Sequence, residues 1–327
     1  MHKLNILFTS AGRRVSLVRR FRKAMQDLGV TGKLVSTDLQ KNAPASFVAD
    51  IRELVPRVSD PAYLDELKHI CLRHSIDLVI PLIDTELHLL SSVKREFADM
   101  GVTLLVSSPE VTDICFDKRK TAEFFRQIGV QSPEILDADV ILNDPDANYP
   151  FLMKPANGSS SAGVTKIRNA RELEFFKDYI ANAILQEYIF GEEYTLDVLV
   201  DLQGRVCSVI PRLRIETRAG EVSKGMTVKN QAIIAAGKKV VEALPGAVGC
   251  ITVQCFLTHE SDIKFIEINP RFGGGFPLAA EAGADFPRWI IEMMLGIERT
   301  HAIDNWQDGL VMLRYDDAVF VTRDTIR

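Results

Sequence analysis

Within residues 1–110, short β-rich runs alternate with stretches of helical apolar spacing, and this alternation limits the fold more than any other feature. The β-rich runs are KLNILFTS (3–10), GKLVST (32–37), IDLVIPLI (76–83) and VTLLVSS (102–108). Between them, residues 14–28, 61–74 and 85–100 carry the spacing of amphipathic helices. Alternation at this density predicts an open parallel sheet with helices on both faces. Such sheets bind ligands at the carboxyl ends of their strands. The loop after the first strand, SAGRRVS (10–16), has only Gly12 where a dinucleotide fingerprint needs three glycines, so a nicotinamide dehydrogenase is disfavoured. Asp38, after the second run, reads as a solvated loop acid rather than a ribose ligand.

The rest of the chain changes character. Residues 116–129 read as one amphipathic helix closing at Gly129, with Pro133 shortly after. A second α/β block, about 149–191, has strand, Gly/Ser loop, strand, helix and strand. A third, mostly antiparallel block spans 193–271 and is interrupted by a helix at 230–244. Helices at 277–283 and 287–295 and two terminal strands complete the reading. At 327 residues the chain needs two or three lobes rather than one core. A net charge of −5 argues against nucleic acid as the main partner, since binding phosphate backbones needs an excess of Lys and Arg. The N-terminal apolar run is too short for a signal peptide, and no run approaches the roughly 20 residues that span a bilayer. Five cysteines, Cys71, Cys115, Cys207, Cys250 and Cys255, form no C-x-x-C pair, so free thiols in a reducing cytoplasm are expected. The six histidines show no H-x-x-x-H spacing, which leaves zinc without support.

The segment GCITVQCFLTHESDIKFIEINPR (249–271) reads as a β-hairpin with its turn between Glu260 and Ser261. That register sets Gln254 opposite Glu267 and Thr252 opposite Asn269. Gln254, Glu267 and Asn269 then share one face, and Ile251, Val253, Cys255, Ile266 and Ile268 the other. Three oxygen-bearing side chains above an apolar underside, without Lys or His, suit a hard cation such as Mg²⁺.

YPFLMKPANGSSSAGVTKI (149–167) places Lys154 at a strand end before a loop of small residues. Residues 157–163 hold two glycines and three serines, so backbone N–H groups and hydroxyls can converge on phosphate oxygens. It is not a Walker loop, because G-x-x-x-x-G-K-[ST] is absent. Further on, a strand ends in Gln186 and Glu187, and acids follow at Glu192 and Glu193. A base and ribose held between two lobes need such a linker and such an acid.

In this order the pieces resemble the ATP-grasp superfamily. The likeness is to one synthetase unit of the carbamoyl-phosphate synthase large chain and to single-unit ligases of the pyrrolysine-biosynthesis type. It covers nearly the whole chain: the α/β domain, Asp117-Lys118, Lys154-Pro155 with its loop, Gln186-Glu187, and Glu267-Ile268-Asn269-Pro270-Arg271. The resemblance implies a pre-ATP-grasp domain (1–112) and a two-lobed ATP-grasp domain (113–327), with a lid lobe at about 149–191 and a metal-binding lobe at about 192–327. It implies that ATP is bound by Lys118, Lys154, Ser159, Ser160, Ser161 and Gly163, by Glu187, Tyr188 and Ile189 at the adenine, and by Glu193 at the ribose. Gln254, Glu267 and Asn269 match the magnesium ligands, with Mn²⁺ as a substitute. Arg271 and Lys154 match the catalytic cations.

The implied reaction is phosphorylation of a carboxylate by ATP and capture of the acyl phosphate by an amine or related nucleophile. The implied partners are small-molecule carboxylates and amines, with a homodimer as candidate assembly. The acceptor pocket is expected at Arg271 and the glycines 273–275. Arg212, Arg214, Arg218 and Lys224 are a further candidate, although such a run reads first as a solvated face. Carbamoyl-phosphate synthase needs two such units and a glutaminase partner. This sequence has one unit, so that synthesis by this polypeptide alone is not expected. The competing reading is a nucleotide-binding subunit without independent turnover.

Overall fold

The computed structural model describes residues 2–158, 163–297 and 304–326. β1 (Ile6–Thr9), β2 (Leu34–Asp38), β3 (Ile51–Leu54), β4 (Leu78–Pro81) and β5 (Thr103–Leu104) form a parallel sheet in the order β3-β2-β1-β4-β5. β1 and β4 are buried at every position, because helices cover both faces. On one face α1 (Val15–Asp27) turns Leu17, Val18 and Phe21 inward. On the other, α2 (Tyr63–Arg73), α3 (Asp84–Ser92) and α4 (Lys94–Asp99) contribute Tyr63, Leu67, Leu90 and Phe97. β3 escapes the sequence reading because IREL is half charged; its pairing with β2, from Val35↔Ile51 to Asp38↔Leu54, makes it a strand. The helix expected over 85–100 is two, divided at Val93. The single helix expected over 116–129 forms as α6 (Lys118–Gln127), after a separate α5 (Pro109–Phe116); between them Asp117 is extended, and its carboxylate caps α6 by accepting from the Arg119 N–H.

A four-stranded antiparallel sheet follows, in the order β6-β9-β7-β8. Its strands are β6 (Ile135–Leu136), β7 (Phe151–Pro155), β8 (Thr165–Ile167) and β9 (Ala183–Glu187), and α7 (Ala138–Leu142) and α8 (Ala170–Tyr179) close its core around Met153, Ile167 and Leu173. The largest sheet, also antiparallel, has the order β14-β13-β10-β11-β12-β15. It comprises β10 (Gly191–Val200), β11 (Val206–Arg218), β12 (Glu221–Thr227), β13 (Gly249–Thr258), β14 (Ile263–Asn269) and β15 (Val311–Leu313), and α9 (Gln231–Glu242) packs against it. Of the two terminal strands expected, only β15 forms among the described residues. Beyond it Phe320 is 93% exposed.

One aromatic chain ties the parallel sheet to the residues after β14. Phe8 meets Phe21 at 5.1 Å, Phe21 meets Phe272 at 6.1 Å, and Phe272 meets Phe276 at 4.8 Å. Phe276, at the start of α10 (Phe276–Glu281), continues to Phe286 and Trp289 of α11 (Phe286–Met294). These edge-on and tilted contacts bury Phe272 and so fix the backbone beside Arg271. Among the described residues no helix is long and apolar enough to cross a membrane.

Candidate active site

The hairpin β13–β14 pairs Thr252 with Asn269 and Gln254 with Glu267, as the sequence predicts. It reaches that register by a different route. The turn centres on Glu260, where the Thr258 N–H donates to the Asp262 carbonyl at 2.9 Å. A bulge then shifts the pairing, so that Cys255 stands opposite Phe265. The bulge corrects one expectation: Ile266 lines the cleft, and Phe265, 1% exposed, takes its place in the core with Ile251, Val253, Cys255 and Ile268.

Gln254, Glu267 and Asn269 open on a cleft of about 660 Å³ between the two antiparallel sheets. Asn269 Nδ2 donates to Glu267 Oε1 at 2.8 Å, and Arg271 donates to Asn269 Oδ1 at 3.3 Å. One carboxylate flanked by two neutral amides is an oxygen donor set suited to Mg²⁺ shared with phosphate oxygens. Among the described residues there is no group of three His, Cys, Asp or Glu side chains that could hold a softer metal.

Lys154 ends β7 facing the same cleft, and it is 5% exposed. Burial lowers its pKa to about 8; the charges of Glu267 and Glu193 oppose that shift, and Lys118 adds to it. Lys118 donates to the Gly158 carbonyl at 3.0 Å, and its own N–H to the Ala156 carbonyl at 2.9 Å, which pins the base of the Gly/Ser loop. Ser159, Ser160 and Ser161 lie outside the described residues. Gly163 has φ +73° and lies against Pro155, a lining residue, without lining the cleft itself.

Glu187, Tyr188 and Ile189 line the cleft after β9. Glu187 accepts from Lys264 at 2.6 Å, and Lys166 sits over the Tyr188 ring at 4.1 Å. Glu193 pairs with Arg214 at 3.2 Å; burial raises its pKa, and Arg214 works against the rise. The structure therefore brings together every described residue of the expected site except Gly163.

The arginine run divides along its strand, because β11 is exposed from Ile215 onward and its register shifts on both sides of Glu216. Arg212 is 1% exposed and bonds Asp197, which is 0% exposed, at 2.6 and 3.1 Å; Arg214 is also turned inward. Arg218 and Lys224 lie on the surface, paired with Asp316 and Glu216. The solvated reading thus holds for two of the four.

Arg14 and Asp84 are residues the sequence reading missed. The guanidinium of Arg14, from the loop after β1, enters the cleft with no hydrogen bond to a described residue; its nearest carboxylate is Glu221 at 4.0 Å. Burial lowers its pKa, and Arg271 lowers it further. Asp84, at the start of α3, accepts from Arg271 at 2.6 Å. Arg271 stays in the cleft although β14 ends at Asn269, because its N–H folds back to the Asn269 carbonyl at 2.8 Å. A Cβ on Gly274 would stand 2.7 Å from Glu221 and 2.9 Å from Arg14, and one on Gly275 would stand 2.3 Å from Arg212. The glycines make room for guanidinium groups. The signal for Arg14 is its position after the first strand, at the carboxyl edge of the parallel sheet. Asp38, half-buried, accepts the N–H groups of Gly12 and Gln40 and so braces that loop.

A PylC-like N-terminal domain model matches residues 6–105, and an ATP-grasp domain model matches residues 115–275. The chain combines a PylC-like N-terminal domain with an ATP-grasp domain. It is 27% identical to the formate-dependent phosphoribosylglycinamide formyltransferase of Trichormus variabilis, over 78% of this chain and 67% of that one. It is 24% identical to the 3-methyl-D-ornithine–L-lysine ligase of Methanosarcina mazei, over 65% of this chain and 53% of the relative. Biotin carboxylase of Campylobacter jejuni shares the fold, with a TM-score of 0.74 at 17% identity over 94% of this chain and 74% of that one.

Proposed function

We propose that the chain is an ATP- and Mg²⁺-dependent, ADP-forming ligase that activates a carboxylate as its acyl phosphate and passes it to an amine. One observation carries the reading: Lys154, Glu267, Arg271 and the unbonded Arg14 guanidinium face one cleft, although they come from three segments of the chain. Hydroxide is a poor leaving group, so a carboxylate oxygen must first take the γ-phosphoryl group of ATP, with ADP leaving, before an amine can displace it as phosphate. Lys118, Lys154 and the Gly158 loop hold the phosphates, while Glu187, Tyr188, Ile189 and Glu193 line the base and ribose end. Gln254, Glu267 and Asn269 would hold Mg²⁺ or Mn²⁺, which when bound neutralises charge on the phosphates. Arg14 holds the substrate carboxylate, and Arg271 with Lys154 offsets the charge of the transferring phosphoryl group. No protein nucleophile is required.

The relatives that carry ligase names support this reading, and five free cysteines support a reducing, cytoplasmic setting. The test is release of ADP and phosphate by the purified chain across a panel of carboxylate and amine pairs. Release that needs both partners is expected. ATP binding without turnover for any pair would contradict the ligase and leave a nucleotide-binding subunit.

A further inference from the structure

The largest sheet ends in β15, and no strand among the described residues pairs with its outer side. Its pairing with β12, from Met226↔Val311 to Lys224↔Leu313, decides which backbone groups are used. Thr227 donates its N–H to the Leu310 carbonyl at 3.0 Å, and Arg314 donates to the Ser223 carbonyl at 2.9 Å. Alternation aims Met312 at β12 as well, and turns the N–H and C=O groups of Val311 and Leu313 outward. The side chains of Val311, Leu313 and Tyr315 follow the same alternation along one face of the edge, where they are 48%, 68% and 83% exposed.

Sheet edges in native proteins are blunted by Lys, Pro, an inward charge or a bulge. The edge segment LVML (310–313) carries none of these. The chain that follows runs to the parallel-sheet domain instead of folding back over the edge. Asp316 pairs with Arg218, Asp317 lies 3.9 Å from Arg19 of α1, and Arg52 of β3 donates to the Thr325 carbonyl at 3.3 Å.

Free N–H and C=O groups along an edge call for a β-strand, and apolar side chains beside them call for an apolar one. β15 itself meets both demands. Antiparallel pairing about a two-fold axis at Leu313 sets Leu313 opposite its own copy, Val311 opposite Tyr315 and Met312 opposite Arg314. Outward-bonding positions then meet outward-bonding positions, and the Val311, Leu313 and Tyr315 side chains of both copies share one face. No like charges stand opposite each other in this register. An axis at Met312 would instead set Asp308 against Asp316.

We propose that the chain forms a homodimer by pairing β15 with β15 of a second copy, antiparallel and centred on Leu313. The pairing is independent of the ligase reading. The ribbon is short for a stable interface, so the two copies associate reversibly and the dimer fraction grows with protein concentration.

Sedimentation velocity of the full chain across a concentration series should show monomer passing into dimer. Leu313→Lys, at an exposed position, sets two like charges against each other at the axis. It should weaken dimerisation about tenfold or more and leave the urea midpoint unchanged. Leu313→Pro removes an outward N–H without removing a bond to β12, and should act in the same direction. Under mild oxidation Leu313→Cys should form an intermolecular disulfide in preference to Val311→Cys, whose two copies stand four positions apart along the paired strands. The unsubstituted chain, with its five free cysteines, gives the baseline. A monomer at every concentration would overturn the proposal and leave the edge to a strand of another protein. So would a dimer that both Leu313 variants leave intact, which would place the interface elsewhere, or equal cross-linking from the two cysteine positions, which would contradict the register.

Discussion

Two walls of one cleft are built in different ways. The metal-facing wall is a single hairpin, in which Gln254, Glu267 and Asn269 are set by strand pairing within a few residues of one another. The guanidinium wall draws Arg14, Arg212 and Arg271 from three segments, and Asp84 from a fourth. Side chains on paired strands are aimed by backbone hydrogen bonds alone. On the second wall Arg212 is set by the pairing of β11, but Arg14, Arg271 and Asp84 depend on packing between the parallel sheet and the largest sheet, through Phe21, Phe272 and Phe276. The first wall should therefore lose chemistry without losing structure when a side chain is changed, and the second should lose both.

The sharpest break concerns the buried pair behind the guanidinium wall. Asp197→Asn leaves the Arg212 charge without its counterion at 1% exposure, and loss of about 3–5 kcal/mol is expected. Urea unfolding measures it. A change below 1 kcal/mol would show that the second wall does not depend on this pair. On the hairpin wall, Glu267→Gln should keep the urea midpoint and reduce turnover by about 10²-fold or more, because one charged oxygen ligand is lost. A folded variant with normal turnover would remove Glu267 from the metal site.

A smaller effect is expected from pH. Burial holds the Lys154 pKa at about 8, so its charge is present below that value and is lost as pH rises through it. Affinity of the free protein for ATP should fall above pH 8, approaching tenfold per unit if the charge is indispensable. Lys154→Arg, whose charge persists across this range, should flatten the profile. An unchanged slope in the variant would assign the pH dependence to another group.

The same contrast explains what was legible in the sequence. Alternating apolar residues announced the hairpin, and its register near Gln254 and Glu267 came out right, even though the turn and the bulge each differ by one residue from the reading. Ile266 was misplaced because a bulge leaves no trace in apolar alternation. The parallel sheet was legible from its buried runs, whereas β3, short and half charged, was not. Arg14 and Asp84 depend on contacts between segments far apart in the chain, which no local pattern records, and Arg212 is buried by its ion pair with Asp197 on the neighbouring strand. The expected nucleotide residues lay on strand ends and loops beside recognisable motifs, and most of them line the cleft.

The central claim is that a carboxylate oxygen passes to phosphate. With the carboxylate found in the release screen labelled by ¹⁸O in both oxygens, the account predicts one label in each released phosphate and the other in the amide. Label retained wholly outside phosphate would contradict activation by phosphorylation.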